Sequence, residues 1–86
     1  MALFKIEFLP RVISTDLAIL PRQDVLRIMD RIESLADDPH PAWSKKLSGR
    51  EEYRARVGNY RILCVIETKI KIVLITKVRH RREFYR

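Results

Sequence analysis

Arg54, Arg56 and Arg61 flank the dipeptide Gly58-Asn59, and this spacing makes them the first candidates for chemistry. Gly-Asn is a two-residue connection of the kind that closes a tight hairpin with positive φ angles. With the loop placed there, Val57 faces Tyr60, Arg56 faces Arg61, Ala55 faces Ile62 and Arg54 faces Leu63. One face of the hairpin then carries Tyr53, Ala55, Val57, Tyr60, Ile62, Cys64 and Ile66, which is a core face. The other carries the three arginines, two of them directly opposite each other. Like charges so placed destabilise a strand pair, and a bound anion would offset the cost. Arginine suits phosphate because its planar fork donates bidentately and stays charged at any relevant pH. Splaying into solvent, or pairing with Glu51, Glu52 or Glu67, is the other account of the same pattern.

The tail Arg79-His80-Arg81-Arg82-Glu83-Phe84-Tyr85-Arg86 is expected to follow the last strand directly. It brings His80 and Glu83, the side chains of this half suited to proton transfer, and a Tyr85 able to stack on a base or hydrogen-bond to phosphate. A histidine in a charged run is also a common solvent-exposed bystander, and Phe84 and Tyr85 would serve equally as anchors for the terminus. Lys45 and Lys46 add charge from a loop. There is no Gly-rich phosphate loop, no ligand cluster at zinc or calcium spacing and no readable Ser-His-Asp arrangement, so no metal or cofactor is expected. His40, between two prolines, reads as a turn residue. Cys64 cannot form an internal disulfide and lies in an apolar run where a buried, inert thiol is the usual outcome.

These residues need a scaffold, and the hydrophobic pattern predicts one. Phe4, Ile6 and Phe8 alternate with Lys5 and Glu7, a half-buried strand. Pro10 and Pro21 bracket residues 11–20, where Ile13, Leu17 and Leu20 follow helical spacing. From Arg22 to Ala36 the stripe Val25, Ile28, Met29, Ile32 and Leu35 predicts an amphipathic helix, ended by the Asp37-Asp38-Pro39-His40-Pro41 run. Strands are expected at Tyr53 to Val57, Tyr60 to Glu67, and from Lys69 or Ile70 to Val78. The expected architecture is α+β, β-α-α-β-β-β, an antiparallel sheet with both helices packed on one face.

At 86 residues the chain suits one domain, residues 1–86, because two cores would each bury too little surface. With 47% apolar and 34% charged residues the balance is globular. No stretch approaches the roughly 20 apolar residues that span a bilayer, and the start is too short and charged for a secretory signal, so the expected location is the cytosol with no membrane partner. Charge is uneven. Residues 1–43 hold five Lys or Arg against seven Asp or Glu, a net −2, whereas residues 44–86 hold thirteen against four, a net +9. A polyanion bound by the second half is the reading this favours.

The order of elements, the run Lys46-Leu47-Ser48-Gly49, the hairpin Tyr53-Arg54-Ala55-Arg56-Val57-Gly58-Asn59-Tyr60-Arg61-Ile62-Leu63 and the closing His80-Arg81-Arg82-Glu83-Phe84-Tyr85-Arg86 resemble the RelE/ParE toxin superfamily over nearly the whole chain. The tail leans toward RelE-like members. The resemblance implies a toxin silenced by a cognate antitoxin and a metal-independent endoribonuclease that cuts mRNA in the decoding site of the ribosome. It places Arg61 at the arginine that stabilises the transition state, Arg81 at a second such arginine and Tyr85 at the terminal aromatic of the site, with His80 open to an acid or base role. Lys45, Lys46, Arg54, Arg56, Arg79 and Arg82 would bind RNA. The alternative within the superfamily is a ParE-like inhibitor of DNA gyrase without RNA chemistry, and outside it a plain nucleic-acid-binding domain.

Overall fold

The structure, a computed structural model, describes residues 3–38, 44–46 and 52–80, the middle segment by its backbone. The elements in chain order are β1 (Lys5–Phe8), a π-helical turn (Val12–Asp16), α1 (Arg22–Ser34), β2 (Ser44–Lys46), β3 (Glu52–Val57), β4 (Tyr60–Glu67) and β5 (Ile72–His80). The α+β expectation holds, with the strands in one five-stranded sheet of order β1-β5-β4-β3-β2.

The hairpin register is the expected one, with Val57 opposite Tyr60, Arg56 opposite Arg61 and Arg54 opposite Leu63. Gly58 adopts φ +58°, the left-handed conformation that a two-residue turn demands and that glycine takes without steric cost. Alternation then sends Ala55, Val57, Ile62, Cys64 and Ile66 into the core, where Val73, Ile75 and Val78 of β5 join them. Ile28 and Ile32 of α1, with Leu35 at its C-cap, close the core from the helical side, as the amphipathic stripe predicts. Pro21 precedes the first turn of α1, Asp24 lies in that turn and Arg31 in the last, charges that complement the helix dipole.

Four features differ from the sequence reading. β1 pairs with β5 in parallel, from Lys5 opposite Ile72 to Phe8 opposite Ile75, so the sheet is mixed; strand direction at an edge depends on the connection, which alternation does not encode. Lys45 and Lys46, expected in a loop, lie in β2, an edge strand antiparallel to β3. Three residues are too few to show a period.

The segment after β1 forms a π-helical turn, with Leu17 N donating to Val12 O at 2.8 Å. The wider turn buries Val12, Asp16 and Leu17 and leaves Ile13 exposed, in place of the expected Ile13, Leu17, Leu20 stripe. Finally, β5 begins at Ile72 and runs through Arg79 to His80, so these two residues belong to the sheet and not to a tail.

Candidate nucleic-acid interface

The basic face is built by a bulge. Along β4 and β5 Leu63 stands opposite Lys77, but Cys64 stands opposite Ile75, leaving Thr76 as the extra residue. Its hydroxyl donates to Leu63 O at 3.2 Å. A bulge re-aims everything beyond it. Strict alternation from Val73 and Ile75 would carry Arg79 into the core, whereas the inserted residue puts Val78 there and Arg79 on the opposite face.

Arg79 thereby comes opposite Arg61, which is itself opposite Arg56. Three arginines run side by side across β3, β4 and β5, on the sheet face turned away from the core. The next row holds Lys45, Arg54, Leu63 and Lys77 by register. Sequence reasoning found Arg54, Arg56 and Arg61 as a group. It missed Arg79 as a member of their row and Lys77 altogether; the break in period two at Thr76-Lys77, between Ile75 and Val78, was the available signal.

The members of the row are not equivalent. Arg56 is exposed and Arg54 half-buried, while Arg61 is only 4% exposed. Alternation puts Arg61 on the face away from the core, yet between β3 and β5 it is buried. Arg79 is ion-paired through Nη1 with Asp16 Oδ1 and also donates to Val78 O at 3.2 Å. Arg81, Arg82 and Tyr85 lie outside the described residues.

His80 is opposite Tyr60, on the helix side of the sheet, and so on the other face from the arginine row. The two rings meet edge to face, 5.3 Å between centroids at 87°. Tyr60 donates from its hydroxyl to Asp24 Oδ2 at 2.6 Å, tying the hairpin to the first turn of α1. That bond, with burial and the charge of Asp24, raises the phenol's pKa above its ordinary value, since ionisation would face a carboxylate. A shallow pocket at the hairpin end is lined by Arg56, Gly58, Asn59, Tyr60 and Arg61. Cys64 is buried, and burial pushes its thiol up to about 11, which keeps it a poor nucleophile. Among the described residues no group of three or more His, Cys, Asp or Glu is placed to hold a metal ion.

A row of cations on one sheet face is by charge suited to a polyanion, and comparison with known proteins gives the family of the chain. Residues 9–85 match the family described as ParE toxin of the type II toxin–antitoxin system parDE. A Methanocaldococcus jannaschii protein named as toxin RelE1 is 32% identical over 87 residues, 96% of each chain. The chain belongs to the RelE/ParE toxin superfamily as a RelE-like member. The fold of this toxin matches a crystal structure of the archaeal RelE–RelB complex from Pyrococcus horikoshii, at 27% identity and a TM-score of 0.82 over 92% of this chain and 96% of that one. It also matches the Mycobacterium tuberculosis toxin–antitoxin complex RelBE2, at 26% identity and a TM-score of 0.80 over 94% of both chains. A β-sheet flanked by a helical layer is thus shared by the toxin and these relatives. No helix of the described residues is long and apolar enough to cross a membrane.

Proposed function

We propose that this toxin is an endoribonuclease that cuts mRNA in the decoding site of the ribosome, and that it is held inactive by a cognate antitoxin. The observation that carries the reading is the Arg56–Arg61–Arg79 row, which holds three guanidinium groups in register on one sheet face, a charge arrangement suited to a phosphate. Exposed Arg56, with Arg54 beside it, takes the phosphate contact. Buried Arg61 supplies a fixed positive charge from beneath, where low dielectric and restricted motion make it more effective against developing charge than a solvated lysine.

The RNA provides its own nucleophile. The ribose 2′-oxygen attacks the adjacent phosphorus, the bond from phosphorus to the 5′-oxygen breaks, and the products are a 2′,3′-cyclic phosphate and a 5′-hydroxyl. One proton leaves the 2′-hydroxyl and one reaches the departing 5′-oxygen, so the overall reaction needs no metal or organic cofactor. Arginine is a poor general base because it does not give up its proton near neutrality. Arg81 is assigned to charge stabilisation and Tyr85 to the reacting nucleotide, by stacking or by a hydrogen bond. His80, whose ring meets Tyr60 on the helix side, is left out of the proton transfers. With no well-tuned acid–base pair among its described residues, the toxin depends on the ribosome to orient the substrate, an effect worth many kcal/mol.

The antitoxin partner is supported by the Pyrococcus and Mycobacterium neighbours, which are complexes of RelE with RelB and of RelBE2. A second reading, inhibition of DNA gyrase, draws on the family model over residues 9–85, which is that of a ParE toxin. One preparation tests both. Added to translating ribosomes, the toxin cuts mRNA in the decoding site while a parallel gyrase reaction keeps supercoiling DNA. Whole mRNA together with blocked supercoiling reverses the assignment.

A further inference from the structure

Asp16 is a buried carboxylate with no part in the expected site, and the sequence reading passed over it. It is 2% exposed, at the end of a π-helical turn whose other buried residue, Val12, is apolar, as is the buried Leu17 that follows. Both of its oxygens are used on β5. Oδ2 accepts from Val78 N at 3.0 Å, and Oδ1 accepts from Nη1 of Arg79.

The position follows from the sheet. β1 covers the outer edge of β5 only as far as Phe8 opposite Ile75, and Leu9 N donates to Ile75 O at 3.0 Å as the last strand-like contact. Beyond that point β5 continues to His80 with no strand on that side among the described residues. A backbone N–H at a buried edge needs an acceptor, and the π-helical turn delivers a carboxylate there instead of another residue of β1. The same carboxylate reaches the guanidinium of the residue that the Thr76 bulge has moved into the arginine row.

We propose that Asp16 is a positioning residue for the RNA-cutting face, holding Arg79 at the open edge of β5 so that the arginine row presents its charges in one fixed geometry. The proposal rests on the ribonuclease reading. It makes a prediction that simple charge counting reverses. Asp16→Asn adds one unit of positive charge to the toxin beside the row, which by itself strengthens attraction for RNA. If Asp16 positions Arg79, cleavage slows even so, because geometry and not total charge sets the rate.

The test is a double-mutant cycle in mRNA cleavage on ribosomes, with kcat and KM read separately and affinity for a single-stranded RNA oligonucleotide measured alongside. Asp16→Asn keeps an acceptor for Val78 N and loses the charge on Arg79. It is expected to lower kcat roughly tenfold with KM unchanged or lower, and Arg79→Gln is expected to do the same. The double variant is expected to be no slower than Arg79→Gln alone, and Asp16→Glu to recover part of the rate. Circular dichroism and the protection of the Val78 amide from hydrogen exchange establish that each variant is folded; if Asp16→Asn is not, Asp16→Glu, which keeps the carboxylate but moves it by one methylene, takes its place in the cycle. An Asp16→Asn effect that persists in full on the Arg79→Gln background overturns the proposal, as does unchanged kcat. Wild-type toxin that leaves ribosome-bound mRNA whole defeats the ribonuclease reading instead, and the same cycle read in oligonucleotide affinity then decides on Asp16: coupling between the two positions upholds the positioning role and simple additivity rejects it.

Discussion

Arg56 and Arg61 stand directly opposite each other across the β3–β4 hairpin, yet one is exposed and the other only 4% exposed. Their substitutions should therefore separate function from stability. Arg56→Ala removes a solvent-facing cation, and its stability should stay within about 0.5 kcal/mol of wild type, while mRNA cleavage falls at least roughly tenfold. Arg61→Ala removes a buried stem as well as a charge, so it should cost about 1–2 kcal/mol in urea unfolding besides most of the activity. Equal stability of the two variants would contradict the burial asymmetry.

Tyr60 gives a pH dependence. Its folded-state pKa is raised, first by the hydrogen bond to Asp24, then by burial and the charge of Asp24. The native state thus holds the phenolic proton more tightly than the unfolded chain. The stability this supplies is fully present below the ordinary tyrosine range near pH 10 and is lost as pH rises through the raised value. Tyr60→Phe should lose about 1 kcal/mol at neutral pH and show a shallower decline in stability above pH about 10. Parallel alkaline unfolding curves for the two proteins would rule the Asp24 bond out as a contributor.

The turn glycine is constrained by backbone and not by space. At Gly58 φ is +58°, and an added Cβ would meet Arg27 Nη1 at 3.5 Å, an ordinary contact. Gly58→Ala should therefore cost about 1–2 kcal/mol through the left-handed conformation alone, and Gly58→Asn less, since asparagine tolerates that region. Thermal melts of the two variants decide it, and an alanine variant as stable as wild type would remove the backbone argument.

What was legible in the chain follows the range of the interactions. The β3–β4 register could be read because Gly58-Asn59 and the alternation on either side are local and agree. The α1 stripe could be read for the same reason. The parallel β1–β5 pair and the three-residue β2 are settled by partners distant in sequence, and a period-two pattern carries no mark of them; the bulge at Thr76 shows only as a break in the period between Ile75 and Val78. The bulge matters most for the site, because one extra residue decides which face receives Arg79 and which receives His80. Asp16 was passed over since a single acid in a short helical segment reads as solvent-facing, and only the open edge of β5 gives it a reason to be buried. Arg81, Arg82 and Tyr85 lie outside the described residues, so their assignments rest on the family resemblance.

The central claim is that the arginine face promotes attack by the message's own 2′-hydroxyl, and one substrate tests it directly. Ribosomes are programmed with two messages that differ only in a 2′-deoxy nucleotide placed at the cut position in the decoding site. The all-ribose message should be cut to fragments ending in a 2′,3′-cyclic phosphate and beginning with a 5′-hydroxyl, and the deoxy message should stay whole under the same toxin concentration. Equal cutting of both messages would contradict the account.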